Sequence, residues 1–182
     1  MGILRHATFG TLLVLLPLAA TAQRFDFDKL HREAARHTVI VEMDIELSFG
    51  LQSTNQKERH LGTIVDRDGL VLFDGSSLLE DAGMSPLSGV SVKTTPKTIK
   101  VLTMDGKSYD ADYVGVDRFT RLGFVRIKTD TTARFEPVRF ALNYRFKVGD
   151  WLALYMLLPE FVTPALAADI GMVSNIVESP EF

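Results

Sequence analysis

The sequence of 182 residues contains no cysteine. That absence excludes a disulfide framework, a cysteine nucleophile, an iron–sulfur cluster and a thiolate zinc site. Nor is there a surplus of basic charge: 20 Lys and Arg stand against 23 Asp and Glu, a formal net charge of -3. Nucleic-acid binding leaves a basic footprint, and none is present. Internal repeats, low-complexity tracts and nucleotide-binding motifs are also missing. What remains is ordinary globular material, 46% hydrophobic and 24% charged.

The longest apolar run falls at the start, from Phe9 to Ala20, behind the single positive charge of Arg5. It is shorter than the ~20 residues a membrane span requires, and Pro17 interrupts it. Ala20-Thr21-Ala22 matches a small-x-small cleavage site. Residues 1–22 therefore read as a secretory signal, with Gln23 as the new N-terminus and no membrane anchor after cleavage.

Beyond it, Phe27, Leu30 and Ala34 fall at helical spacing, which predicts a short N-terminal helix within 26–37. The pattern then changes to β-branched residues with apolar alternation. Val39, Val41, Met43, Ile45, Leu47 and Phe49 predict one half-buried strand, and Gly50–Arg59 reads as a polar connection. Asp68-Gly69 and Asp105-Gly106 each lie between apolar runs and predict two hairpins, His60–Val65 with Leu70–Phe73 and Thr98–Thr103 with Ser108–Val116. Ser76–Asp81 fits a helical turn capped by Asp74 or Ser76, and 82–96 reads as a loop. Further strands are expected at Leu122–Lys128, Val138–Leu142, Trp151–Leu157 and Ala165–Ile176. Many short strands with turn residues between them imply a sandwich or barrel.

Asp66-Arg67-Asp68-Gly69 has the look of a calcium loop, but its twelfth position is Ser77 where a bidentate Glu is needed, so it reads as a turn. Asp74, Glu80 and Asp81 read as capping, water-facing charges, and no metal or cofactor site is expected. Trp151, Tyr155, Met156 and Phe161 are expected to pack in the core. The nearly continuous apolar run Leu152–Leu158 is expected to leave an exposed patch if no second layer covers it.

Three stretches together resemble the HtrA-like (DegP-like) family of trypsin-like serine proteases. They are Gly62–Leu79 (GTIVDRDGLVLFDGSSLL), Ile99–Ile127 (IKVLTMDGKSYDADYVGVDRFTRLGFVRI) and the run from Lys147 that holds KVGDWLALYMLLPE and IGMVS. The resemblance implies an all-β chain: a trypsin-like (chymotrypsin-fold) single six-stranded Greek-key β-barrel with a short N-terminal helix. The implied organisation is a signal segment over 1–22, a helical segment over 23–37, a barrel over 38–177 and a tail over 178–182.

The family's catalytic histidine follows a strand in a pattern like "LTNNHVV", and the matching position here is Ser76. Its aspartate lies in "TDLA", where this chain has Arg121. The nucleophile motif "GNSGGP" does not occur before Phe182. A hydroxyl cannot serve as the base near neutral pH, and a cation cannot steady an imidazolium. A relocated triad would set Ser76 or Ser77 against His60, with no acid evident behind the ring. The resemblance thus implies no catalytic residues, only degenerate positions at Ser76 and Arg121. The expected role is an exported, inactive binding or scaffold module. Its protein or peptide partner would meet the face that a second barrel covers in the complete enzymes. Half of a split or truncated endopeptidase, and an unrelated ligand-binding barrel, are the alternatives.

Overall fold

The computed structural model describes residues 26–49, 52–79, 92–130, 134–162 and 166–177. The expected signal segment, the tail, Glu80 and Asp81 lie outside them. Among the described residues no helix is long and apolar enough to cross a membrane.

The first element is α1 (Phe27–Ala35), capped by the Asp26 carboxylate, which accepts from Lys29 N at 2.9 Å. Six strands follow: β1 (Thr38–Phe49), β2 (Gln52–Ile64), β3 (Leu70–Asp74), β4 (Val92–Thr103), β5 (Ser108–Val116) and β6 (Leu122–Ile127). All pair antiparallel and close into a barrel in the order β1-β2-β3-β6-β5-β4. The run β4-β1-β2-β3 is compatible with the expected Greek key. Among the described residues the chain is therefore all-β with one short α-helix, as the patterning implied.

The alternation in β1 works as read. Val39, Val41, Met43 and Ile45 point inward with Ile64, Val71, Phe73, Val101 and Val125 to form the core. Both DG turns form, with Gly69 at φ 80 and Gly106 at φ 85. Such left-handed backbone is the province of glycine. One end of the barrel is closed by Phe135, whose ring packs edge-on against Tyr109 at 5.6 Å, while Val138 N donates to Ile64 O at 2.8 Å. The other end is closed by a 3-10 turn, Ser76–Leu78, which drops Leu78 into the core.

Five expectations are corrected. Gly50–Arg59 is not simply a connection: from Gln52 onward the polar stretch continues the β1 ladder in register as β2. Likewise β4 begins at Val92, inside the expected loop. Pro96 is tolerated there because it sits beside the register shift at Asp44/Ile45, where, among the described residues, β4 pairs on one side only. Val138–Leu142 is irregular, and Val138 makes a single cross-bond where a strand would make a ladder.

Finally, the barrel is complete between Thr38 and Ile127, not over 38–177. β7 (Trp151–Leu157) and β8 (Leu166–Met172) stand apart from the barrel ladder and, among the described residues, pair only with each other. Of the four residues expected in the core, Trp151, Met156 and Phe161 are exposed, as is Leu154, while Tyr155 is half-buried with its ring 6.2 Å from that of His31 on α1. The apolar run at Leu152 and Leu154 is an exposed patch, as its sequence suggested.

Candidate functional site

The structure brings Ser76 and Arg121 to one place. β3 and β6 pair up to Asp74 opposite Leu122, so the residues just beyond each strand end meet. Gly75 N donates to Arg121 O at 2.9 Å. This approach needs glycines. A Cβ on Gly75 would stand 2.9 Å from Gly123 N, and one on Gly123 would stand 2.5 Å from the Phe73 ring. Arg121 itself sits at φ 62, a left-handed conformation that closes the turn from Asp117. The Asp117 carboxylate is engaged by Phe119 N at 2.9 Å and Thr120 Oγ at 2.8 Å.

Asp74 joins the two positions. Its carboxylate accepts from Ser76 Oγ at 2.6 Å and from Ser76 N at 3.0 Å. The Ser76 hydroxyl, then the Ser76 amide, hold the Asp74 carboxyl below the ordinary carboxylate range, and the charges of His60 and Arg121 add to the effect.

A second serine makes a matching arrangement. Ser77 Oγ donates to Glu58 Oε2 at 2.6 Å, and His60 Nε2 lies 3.0 Å from the same oxygen. Strand parity puts Glu58 and His60 there. They face Met43 and Val41 across the ladder, on the inward side of the barrel, where the ring of His60 rests on Phe73 at 5.5 Å. Both side chains are largely covered, at 15% and 17% exposed. An acid does therefore stand beside His60, and sequence reasoning missed it. The signal was present: residues two apart on one strand share a face. It was hidden by the reading of Glu58 as part of a connection.

The order of these groups decides their chemistry. In a triad the imidazole lies between hydroxyl and carboxylate, so that the hydroxyl proton passes to the ring. Here the carboxylate lies between the hydroxyl and the imidazole. Ser76 and Ser77 each aim a hydroxyl hydrogen at a carboxylate, so neither of these two hydroxyls is paired with an imidazole. Among the described residues no group of three or more His, Cys, Asp or Glu is placed to hold a metal ion.

The cluster opens on a groove of about 530 Å³ lined by Arg59, His60, Leu61, Asp74 and the segment Leu157–Glu160. One wall is thus the barrel and the other the end of β7. The polar cluster thus lies at the mouth of the closed barrel with the apolar hairpin beside it. The chain matches no protein-family model and no curated protein.

Proposed function

We propose that this chain is an exported, catalytically inactive relative of the trypsin-like (HtrA-like) proteases that binds a protein or peptide partner. The observation that carries the reading is the hydroxyl–carboxylate pairing at the groove. Ser76, at the family's histidine position, donates to Asp74, and Ser77 donates to Glu58. Supporting it, the degenerate positions Ser76 and Arg121 converge across the Gly75–Arg121 bond, although they are far apart in sequence. The strand order of the barrel is compatible with that ancestry. The exposed β7–β8 hairpin beside the groove supplies apolar surface of the kind partners use.

The test is incubation of the purified protein with unfolded casein and with a fluorophosphonate probe. The expected result is neither cleavage nor labelling. Turnover or labelling that disappears in Ser76→Ala or Ser77→Ala would overturn the reading.

A further inference from the structure

β2 is longer than its neighbour. It pairs with β1 from Gln52 to Thr63, but its ladder with β3 covers only Gly62 to Ile64. Among the described residues no strand pairs with the rest of that side. The direction of its backbone groups follows from two bonds. Ile64 N donates to His37 O, toward β1, and Val65 N donates to Leu70 O, toward β3. Backbone direction alternates along a strand, and the β1–β2 register runs without a shift. The N–H and C=O groups of Ser53, Asn55, Lys57 and Arg59 therefore point outward from the sheet, and those of Thr54, Gln56 and Glu58 point into the ladder.

The side chains along this edge carry a charge pattern. On the outer face Lys100, Glu42 and Arg59 lie side by side on β4, β1 and β2. The Arg59–Glu42 contact is 3.2 Å. Across the sheet the row runs positive, negative, positive, and the next place calls for a negative group. One step along, Asp44 faces Lys57, so the next place calls for a second acid. Directly opposed unlike charges stabilise a sheet and like charges destabilise it.

We propose that the open edge of β2 accepts an extended peptide as an added strand, and that the peptide carries acid-x-acid opposite Lys57 and Arg59. Glu160 lines one cavity with Lys57, Arg59 and Lys100 and the groove with Arg59 and His60, so the peptide's acids compete with this chain's own carboxylate for the edge cations, which are the direct lateral neighbours of an added strand. The apolar wall Leu157–Pro159 receives the end of the peptide nearest Leu61. Main-chain bonds supply affinity in this mode and alternate side chains supply selectivity. A second copy fits poorly. Antiparallel self-pairing centred on Lys57 opposes Lys57 to itself, and centring on Glu58 opposes Lys57 to Arg59 and Glu58 to itself. The inference rests on the binding role proposed for the groove.

The probe is the fluorescein-labelled, end-blocked peptide Leu-Thr-Glu-Thr-Glu-Thr-Leu, which reads alike in both directions. Anisotropy should show it binding at least about tenfold tighter than its Glu→Lys counterpart. The double variant Lys57→Glu/Arg59→Glu should reverse that preference. Asn55→Pro removes an outward N–H and no β1–β2 bond. It should keep the native melting temperature and lose the peptide. In amide exchange by NMR, Asn55, Lys57 and Arg59 should exchange fast in the free protein and slow with peptide, while Gln56 and Glu58 stay slow throughout. Fast outward amides with no peptide bound would overturn the proposal. So would outward amides protected in the free monomer, which means this chain's own segment fills the edge, or protected only at high concentration, which means a second copy does. Hydrolysis of casein, by contrast, would overturn the inactive reading and leave the edge site standing.

Discussion

Val41 and Leu154 each sit in the middle of an apolar antiparallel strand, yet Val41 is 0% exposed and Leu154 is 64% exposed. Val41 has a strand on either side and a filled barrel beneath it. Leu154 has one neighbouring strand, in a sheet of two. A two-stranded sheet alone is at best marginally stable in water. The difference is closure, since an apolar sequence buries itself only where the topology supplies a second surface. The barrel carries the fold, and the hairpin presents what the barrel has no room for.

The largest effect that would sharpen this contrast is in the core. Met43 is 2% exposed and packs among the central residues of the barrel. Met43→Ala should cost about 2–5 kcal/mol, the transfer term plus the cavity left behind. Leu154→Ala should cost no more than about 0.5 kcal/mol, as surface substitutions do. Urea denaturation of both variants measures the pair, and equal costs would mean the hairpin is as integral as the barrel.

Next comes the packing that holds the strand ends together. A Cβ on Gly123 would meet the Phe73 ring at 2.5 to 2.9 Å. Phe73 is core, so Gly123→Ala should destabilise by about 1–3 kcal/mol, the range for overpacking. It should also disturb His60, whose ring rests on Phe73. The measurements are thermal denaturation and the shift of the His60 imidazole resonances. A stable variant with those resonances unmoved would separate the mouth of the barrel from its core.

A smaller effect belongs to the hairpin. Leu152 and Leu154 are both exposed on β7. Leu154→Lys should change stability by less than about 0.5 kcal/mol, yet it should lower the binding of a hydrophobic dye, because it breaks the apolar run. Dye fluorescence read beside the melting temperature tests this. A large loss of stability would show that the hairpin packs on something in solution.

The sequence made the barrel legible because the barrel obeys local rules. Alternation from Val39 to Ile45 marks an inward face, and each Asp-Gly pair marks a turn that glycine alone enters without strain. The hairpin misled for a physical reason. Trp151 and Leu154 carry the same apolarity as core residues, and nothing local says whether a second layer covers them. The cluster at the mouth was half legible. Ser76 and Arg121 were found through the resemblance, as positions out of place. Glu58 was missed because QSTNQKER has the composition of a loop. It is a strand because β1 beside it is long enough to template the ladder. Polar composition is also what an edge strand uses to discourage stray pairing.

The smallest effect is the most local, and it bears on how the mouth of the barrel is held. Hydrogen bonds from the Ser76 hydroxyl and amide favour the charged form of Asp74, so its carboxyl titrates below the ordinary value of 3.8. A carboxyl with a depressed folded pKa contributes stability that is fully present above its unfolded pKa. The contribution is lost as the pH falls through the folded pKa. The mouth should therefore keep its structure at neutral and mildly acidic pH and loosen only below the ordinary carboxylate range. A carboxyl-carbon NMR titration should place the Asp74 midpoint low, and Ser76→Ala should raise it toward the ordinary value, since the hydroxyl is the larger cause. The same titration of the Leu154→Lys variant should leave Asp74 where it was. If the midpoint moved with the hairpin, the mouth and the hairpin would be one cooperative unit, and the division between buried barrel and presented hairpin would have to be redrawn.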